Sequence, residues 1–328
     1  MRTRSRWFSV GLILLVSACG EPSRPVAPSE DAGARTGTRQ AAGNGAFNLD
    51  AMTFTSFDVP GSNSTFPMGL NADGDAVGQY TIAGSTHGFL RRVAGAFTTI
   101  DYPGASFTVA AGINSDGDIT GWYNFPAAPT QRHGFLLHDG EFTTVDPAGS
   151  VFTNALGINA AGDIVGRYCT AFPCWRTLVG VWHGFLRHDG EITTVDVPAS
   201  LRTNAWGIDP QGKIVGGFSD AANVTRLFVA RGTEFTTFDL PGALPVSQDE
   251  GGSNPRGDIA GTFCDVTPCD LTNTAKHGFV VRQGVLTTID VAGATATSVQ
   301  KINESGGVAG AYRDAAGITR GFILLPDQ

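Results

Sequence analysis

HGFLLHDGEFTTVD, residues 133–146, returns almost unchanged as HGFLRHDGEITTVD at 183–196. Two histidines and three carboxylates in so short a span suggest a reaction site. A segment that occurs twice suggests a building block. The rest of the chain supplies the test. The closing string, apolar-Thr-Thr-apolar-Asp, recurs as FTSFD from Phe54, FTTID from Phe97, FTTVD from Phe142, ITTVD from Ile192, FTTFD from Phe235 and LTTID from Leu286, every 43–51 residues. Each copy is followed by a Pro/Gly/Ala turn. A second mark such as GINSDGDITGWY (112–123) comes next, and then the HGF mark.

Within one copy the pattern reads as four short strands. FTTVD alternates apolar and polar with period two. GIN, a GD turn and IVGRY read as strand, tight turn, strand, because Asn, Gly and Asp tolerate or supply positive φ at the bend. HGFL is joined to the next FTTVD by Asp-Gly, a strong hairpin signal. No stretch shows a helical period with caps. Four short strands per copy, repeated every 40–50 residues, predict an all-β chain folded as a β-propeller of six four-stranded blades. Solenoids are the second choice, but their repeats are usually shorter or helical. The first FTSFD has no GIN or HGF mark before it, and the last copy has KINESGGVAGAY and RGFILL with no FTTVD after it. Residues 53–58 are therefore expected to complete the last blade, leaving no open edge.

The unit GIN-xx-GD-apolar-xG-xY…HGFL-xx-DG resembles the HAF repeat of bacterial extracellular proteins, which runs from a GINxxG turn to a His-small-Phe strand. The resemblance covers nearly all of 54–328. The phenylalanine matches at Phe89, Phe135, Phe185, Phe279 and Phe322, while Gly stands where the family usually has Ala. The resemblance implies an exported repeat protein and no established activity.

The copies test each other's chemistry. His87, His133, His183 and His277 precede Gly-Phe, but Arg226 and Arg320 hold that place in the fourth and sixth copies. Arginine stays protonated and cannot stand in for a catalytic base. A hydrogen-bond donor can be exchanged in that way, so a structural bond to the Asp of FTTVD, in the same or the next blade, is expected. His138 and His188, beside hairpin turns, are expected to be solvated. The aspartates Asp58, Asp101, Asp146, Asp196, Asp239 and Asp290 each precede a turn. They read as side-chain caps of that turn, with a carboxylate ring around a shared cation as the alternative. NADGD (71–75) and NSDGD (114–118) resemble calcium loops, but later copies lose the oxygens. No metal or cofactor is expected.

The N-terminus sets the compartment. Arg2, Arg4 and Arg6 precede an apolar run from Trp7 to Val16 too short to span a bilayer. Val16-Ser17-Ala18-Cys19 resembles a bacterial lipobox, which implies cleavage after residue 18 and lipidation of Cys19. Gly20 follows, not the aspartate linked to inner-membrane retention, so outer membrane or cell surface is expected. Residues 19–51, rich in Pro, Ala, Gly and Ser, read as a flexible tether, and 52–328 as the repeat domain. The chain has 44 glycines, 16% charged residues and a formal net charge of −8. Lysine occurs only at Lys213, Lys276 and Lys301. That balance argues against nucleic acid and against membrane contact other than the lipid. A monomer is expected.

Four further cysteines form matching pairs, YCTAFPC (Cys169, Cys174) and FCDVTPC (Cys264, Cys269), in enlarged loops of copies three and five. In an exported chain they predict two local disulfides, with a four-cysteine zinc site as the alternative. Propeller wiring places both loops on one face and the GD and DG turns on the other. Trp175 and Trp182 on the enlarged face suit sugar or protein contacts, and Asp249 and Glu250 break the pattern of their copy's first strand. The expected function is a non-catalytic, lipid-anchored scaffold binding a protein or glycan at the cell surface. The alternative is a carbohydrate-active hydrolase or lyase, for which Asp249 and Glu250 are the best acidic pair.

Overall fold

The computed structural model describes residues 46–171, 174, 182–240, 246–265 and 276–327, with the side chains of 248–250 outside that set. Cys19, Trp175 and Cys269 lie outside the described residues. Those described form 24 β-strands and a single short 3-10 turn, Leu49–Ala51. The third copy shows the unit. Phe152–Ile158, Ile164–Cys169, His183–His188 and Glu191–Val195 make one antiparallel meander in chain order. The innermost strand is buried along its whole length, whereas three of the first four residues of the outermost strand are exposed. That gradient is why the first strand reads as a nearly unbroken buried run and the last as an alternation. The Asp-Gly hairpins form as expected: Asp139 and Gly140 have φ of 49° and 80°, the pair of positive values that a two-residue turn of matching twist requires.

Two motif residues explain the tight packing between strands. The HGF phenylalanines, including Phe135 and Phe185, are fully buried. Room for the ring comes from the glycine of the neighbouring strand. A Cβ on Gly121 would lie 1.9 Å from the Val109 carbonyl oxygen and 2.8 Å from the Phe135 ring. The innermost strands also slip by one residue just before GIN, between Ala110 and Gly112, Ala155 and Gly157, and Ala205 and Gly207. Such a bulge re-aims the extra side chain. Here Ala111, Leu156 and Trp206 turn into a central cavity.

The chain ends meet. Met52–Phe57 pairs antiparallel with Thr319–Pro326, from Met52 opposite Pro326 to Phe57 opposite Gly321. Phe54 stacks on Phe322 with centroids 5.7 Å apart, and the Ser56 and Tyr312 hydroxyls share a hydrogen bond of 2.9 Å. The folded part begins earlier than expected. Phe47 and Leu49 are buried in the same cluster as Met52 and Phe54, and the Arg282 guanidinium lies 4.9 Å over the Phe47 ring. Phe47 to Ala51, assigned to the tether on sequence, therefore belong to the folded part. Phe47 and Leu49 bring apolar area that the composition average of a Pro/Ala/Gly-rich stretch conceals.

The sheet count also differs from expectation. Four sheets stand alone as four-stranded units, not six, and the remaining eight strands, from Ser64–Leu70 to Glu141–Thr144, form one sheet. Its two meanders are joined only where Thr86 pairs in parallel with Phe107. The third strand of one copy approaches the first strand of the next closely enough there for a backbone bond.

Candidate functional site

The opening motif resolves into a clasp across three strands. His133 Nδ1 lies 2.6 Å from Asp146 Oδ2, and the Gly134 amide donates to the other carboxylate oxygen at 3.1 Å. His183 and Gly184 bind Asp196 in the same way, at 2.6 and 3.2 Å. His87 bonds Asp101 and His277 bonds Asp290, each at 2.8 Å. The tyrosine of GxY stacks on the histidine, with Tyr123 and His133 centroids 5.4 Å apart. Its hydroxyl bonds the second Thr of FTT, as Tyr168 does with Thr194 at 2.8 Å. One network thus uses GxY, HGF and FTTφD together. It ties the second, third and fourth strands of the first three copies, and in copies four and five Phe218 and Phe263 replace the tyrosine.

Arginine fills the histidine's place with one addition. Arg226 donates to Asp239 at 2.5 Å and to Asp220 at 2.9 Å. Arg320 donates to Asp58 and, at 2.9 Å, to Asp314. Each guanidinium therefore bridges two carboxylates, and the second comes from the loop after the copy's second strand. The aspartates are not caps of the following turn, as expected from sequence. Their carboxylates face back across the hairpin, and the turn's amide is held by a threonine of the next copy: Val197 N donates to Thr203 Oγ1 at 3.1 Å and Val291 N to Thr297 Oγ1 at 3.0 Å.

His277 has two carboxylates, Asp290 at Nδ1 and Asp265 at 3.3 Å from Nε2. The Asp290 hydrogen bond, opposed by burial and helped by Asp265, pushes its pKa up to about 9. A histidine whose folded pKa exceeds the unfolded value of about 6.5 stabilises the fold fully below that value, and the contribution is lost as pH rises through the folded pKa. We expect a loss on the order of 2–3 kcal/mol between pH 6.5 and 9.5 that His277→Gln abolishes. Urea unfolding at the two pH values measures it. Equal pH dependence in both proteins would contradict the clasp at this position.

The GIN and GD marks form a second network, on the opposite rim. Asn159 Oδ1 accepts from the Ala161 and Asp163 amides at 3.0 and 2.9 Å, while its Nδ2 donates to Asp163 Oδ2 at 2.9 Å and to the Asp209 carbonyl of the next copy at 3.2 Å. The inter-copy step repeats from Asn71 to Asn114 O and from Asn114 to Asn159 O, both 3.2 Å, and from Asn303 back to Asn71 O at 2.7 Å. In the fourth copy the Asn is Asp209, which cannot donate. Lys213, standing where the first, second, third and fifth copies have the GD aspartate, pairs with Asp209 at 3.2 Å and supplies the donor to Asn254 O at 3.4 Å. The GD aspartates are engaged elsewhere. Asp118 and Asp163 bind His138 and His188, each at 2.6 Å, and Asp75 and Asp258 bind Arg92 and Arg282, each at 2.7 Å. His138 and His188 are exposed as expected, but ion-paired and not merely solvated. The turns resemble calcium loops because both need carboxylates and positive φ; here cationic side chains take the carboxylates.

Inside this rim lies a cavity of about 60 Å³ bordered by all six GIN-type turns. Lys301 projects into it. Five copies have glycine at that position (Gly69, Gly112, Gly157, Gly207, Gly252). The lysine stem crosses two of them, since a Cβ on Gly252 would lie 3.0 Å from Lys301 Cδ and one on Gly207 would lie 3.3 Å from Nζ. Its Nζ donates to the Trp206 carbonyl at 3.0 Å. Desolvation lowers its pKa to about 8. The sequence reading passed over Lys301, although KIN in place of GIN was the visible signal.

The described ends of the enlarged loops leave the strands on the other face. Cys169 and Cys174 are disulfide-bonded, and Cys264 is disulfide-bonded as well. Trp182 packs into its own loop. Its indole N–H donates to the Cys174 carbonyl at 3.0 Å, its ring meets Phe152 edge-on at 5.1 Å, and Arg167 lies 4.8 Å over it. Asp249 and Glu250 fall where the innermost strand of the fifth copy loses register between Val246 and Gly251. That is the widest such slip among the described strands, in keeping with the atypical sequence. The side chains of both lie outside the described residues.

Consecutive antiparallel meanders, with innermost strands around a shared axis and the first strand of the chain paired to the last, decide the fold class. The fold is a β-propeller. Solved structures agree. A TolB protein from Agrobacterium tumefaciens is 13% identical with a TM-score of 0.52, over 80% of this chain and 90% of that one. The β-propeller domain of the Trilobed protease from Pyrococcus furiosus is 12% identical at 0.50, over 80% and 81%. A triple arginine mutant of AofleA from Arthrobotrys oligospora is 12% identical at 0.50, over 83% and 86%. The Pyrococcus domain is described as having an open velcro topology; the ends of the present propeller are strand-paired. No protein-family model and no curated protein matches the chain, so its likeness to HAF repeats rests on the GIN and HGF marks alone.

Proposed function

We propose that this propeller is an exported, lipid-anchored binding scaffold of six blades for a protein or glycan at the cell surface. The observation that carries the non-catalytic reading is the clasp: all six FTTφD carboxylates are bound by a histidine or arginine of their own blade. A group held as a strand fastener in every copy has no copy-specific task. Six blades is the reading that six innermost strands and a hydrogen-bond ladder returning from Asn303 to Asn71 favour; the eight-stranded sheet then counts as two blades touching at Thr86 and Phe107. The lipobox-like run ending at Cys19 and the disulfides favour export. Outer membrane or cell surface is the proposed location, with the protein a monomer that touches membrane only through its lipid.

The stapled face is the proposed contact surface. Pre-ordered loops lose less entropy on binding than free ones, and the cysteine pairs occur only in the two enlarged copies. Trp182 braces that face; Trp175, Asp249 and Glu250 remain its candidate contacts. A hydrolase or lyase on the same scaffold is the second reading, favoured by the register slip that carries Asp249 and Glu250. Screening the protein against glycan and cell-wall arrays, with and without reductant, tests the main reading. Binding that reduction weakens supports it, and turnover of a bound glycan that Glu250→Gln abolishes supports the second. For the anchor, Cys19→Ser should move the protein from membrane to soluble fractions or leave a precursor. An unacylated wild-type protein would exclude it.

A further inference from the structure

The copies depart from their repeat at three places around Lys301: Lys301 and Ser253 border the cavity of about 60 Å³, and Lys301 and Gln300 border a smaller one. Lys301 replaces the glycine of GIN in the sixth copy. Gln300, beside it, stands where the other channel positions are Met68, Ala111, Leu156, Trp206 and Gly251. Ser253 replaces the apolar residue that is Leu70, Ile113, Ile158, Ile208 and Ile302 elsewhere. Repeat architecture needs none of these changes, since five copies close without a lysine and five without the serine.

Their polar atoms have no matching acceptors. Ser253 and Gln300 are 8% and 3% exposed, and Ser253 Oγ and Gln300 Nε2 have no hydrogen-bond partner. Lys301 has three donors and makes one bond, to the Trp206 carbonyl; no carboxylate pairs with it among the described residues. Asp209, which also borders the cavity, is already paired with Lys213. Glu304 borders the same cavity, but it is exposed at the rim. A buried unpaired donor costs its full desolvation, and the half-buried Lys301 has no counter-charge among the described residues. A half-buried cation and an unsatisfied hydroxyl residue bordering one small cavity describe a site for an acceptor that is negatively charged.

We propose that the axial cavity binds a small oxyanion, a phosphate or a carboxylate, with Lys301 Nζ supplying the charge and Ser253 Oγ a further donor. About 60 Å³ of room admits inorganic phosphate or acetate whole. It admits the carboxylate of an acidic sugar only if the sugar ring stays at the mouth. The site opens on the rim of GIN turns, away from the cysteine loops, so it is independent of the proposed glycan or protein surface. Desolvation makes the amine easier to deprotonate, and an occupying anion would hold its proton in place.

Calorimetric titration of the full chain at pH 7 with inorganic phosphate, acetate and glucuronate tests this at constant ionic strength. The expected result is binding of at least one of them with a dissociation constant of 10 mM or tighter. Lys301→Gly, which restores the residue of the other five copies and so preserves the fold, should weaken it at least tenfold. Ser253→Ala should weaken it severalfold. Phosphate and acetate binding with none for glucuronate identifies a free small anion as the ligand; tighter glucuronate binding identifies the acidic group of a saccharide. No binding by any of the three, or equal binding by wild type and Lys301→Gly, overturns the proposal and leaves the cavity as a water site.

Discussion

Deletion of residues 45–60 should destroy cooperative folding and leave an aggregating chain. The segment supplies Phe47, Leu49, Met52 and Phe54 to the core cluster that also contains Phe322 and Leu324. Full burial of each such side chain contributes about 1.5–3 kcal/mol, so the four together rival a total stability of about 5–15 kcal/mol. The segment also carries Asp58, the clasp partner of Arg320, and its loss bares the backbone of Thr319–Pro326 as an open edge. Such an edge templates pairing with other chains. Phe54→Ala, which keeps the strand, should cost about 3–5 kcal/mol and leave a folded protein. Thermal unfolding followed by circular dichroism separates the two. A deletion variant with the parent melting temperature would mean that the ends do not hold each other.

Asn159→Asp should be almost as damaging, and a second substitution should repair it. The asparagine donates to Asp163 and to the Asp209 carbonyl while its oxygen accepts two amides. Aspartate keeps the acceptor and loses both donors, and it sets a second carboxylate against Asp163 in a buried place. The cost is about 3–5 kcal/mol, as for a buried charge without its partner. The fourth copy carries the compensated version, Asp209 with Lys213. Asn159→Asp combined with Asp163→Lys should therefore recover about 2 kcal/mol or more relative to the sum of the single changes. His188 loses its partner in the double variant, but its own side chain is exposed and stays solvated, so that loss is small. Urea denaturation of the four proteins gives the coupling. Additive losses would show that the inter-copy ladder is incidental.

The fold was legible because its unit is repeated. One copy of FTTVD could be a chance alternation; six at near-equal spacing, with Asp-Gly hairpins between, leave little else than four-stranded meanders. The exchange of His for Arg at 226 and 320 likewise revealed a donor and excluded a base. What the sequence hid is cross-strand and inter-copy. Asp146 looks like a turn cap because it precedes Pro147, and only the pleat shows that its carboxylate faces His133. Asp118 looks like a calcium ligand until His138, twenty positions on, is seen beside it. Asp209 and Lys213 look like decay of the NxxGD mark, yet they are a charge-swapped version of it. Phe47 and Leu49 vanish into the average of a polar tether. The channel residues were the least legible. Bulges turn them inward, and a bulge shows in sequence only as one extra residue in a strand. Deviation from the repeat would have found Lys301, Gln300 and Ser253, had departures been weighed as carefully as matches.

A closed ring of repeats, fastened by its own recurrent histidines and aspartates, makes a definite statement about its seam. Hydrogen–deuterium exchange of the intact protein, read by mass spectrometry on peptides covering 52–57 and 319–326, measures it directly. A strand paired on the edge of a cooperative unit exchanges with global unfolding, whereas a frayed terminus exchanges nearly freely. Protection in both segments equal to that of 152–158 is the result this account predicts. Free exchange of 52–57 within seconds, with 152–158 still protected, would contradict it.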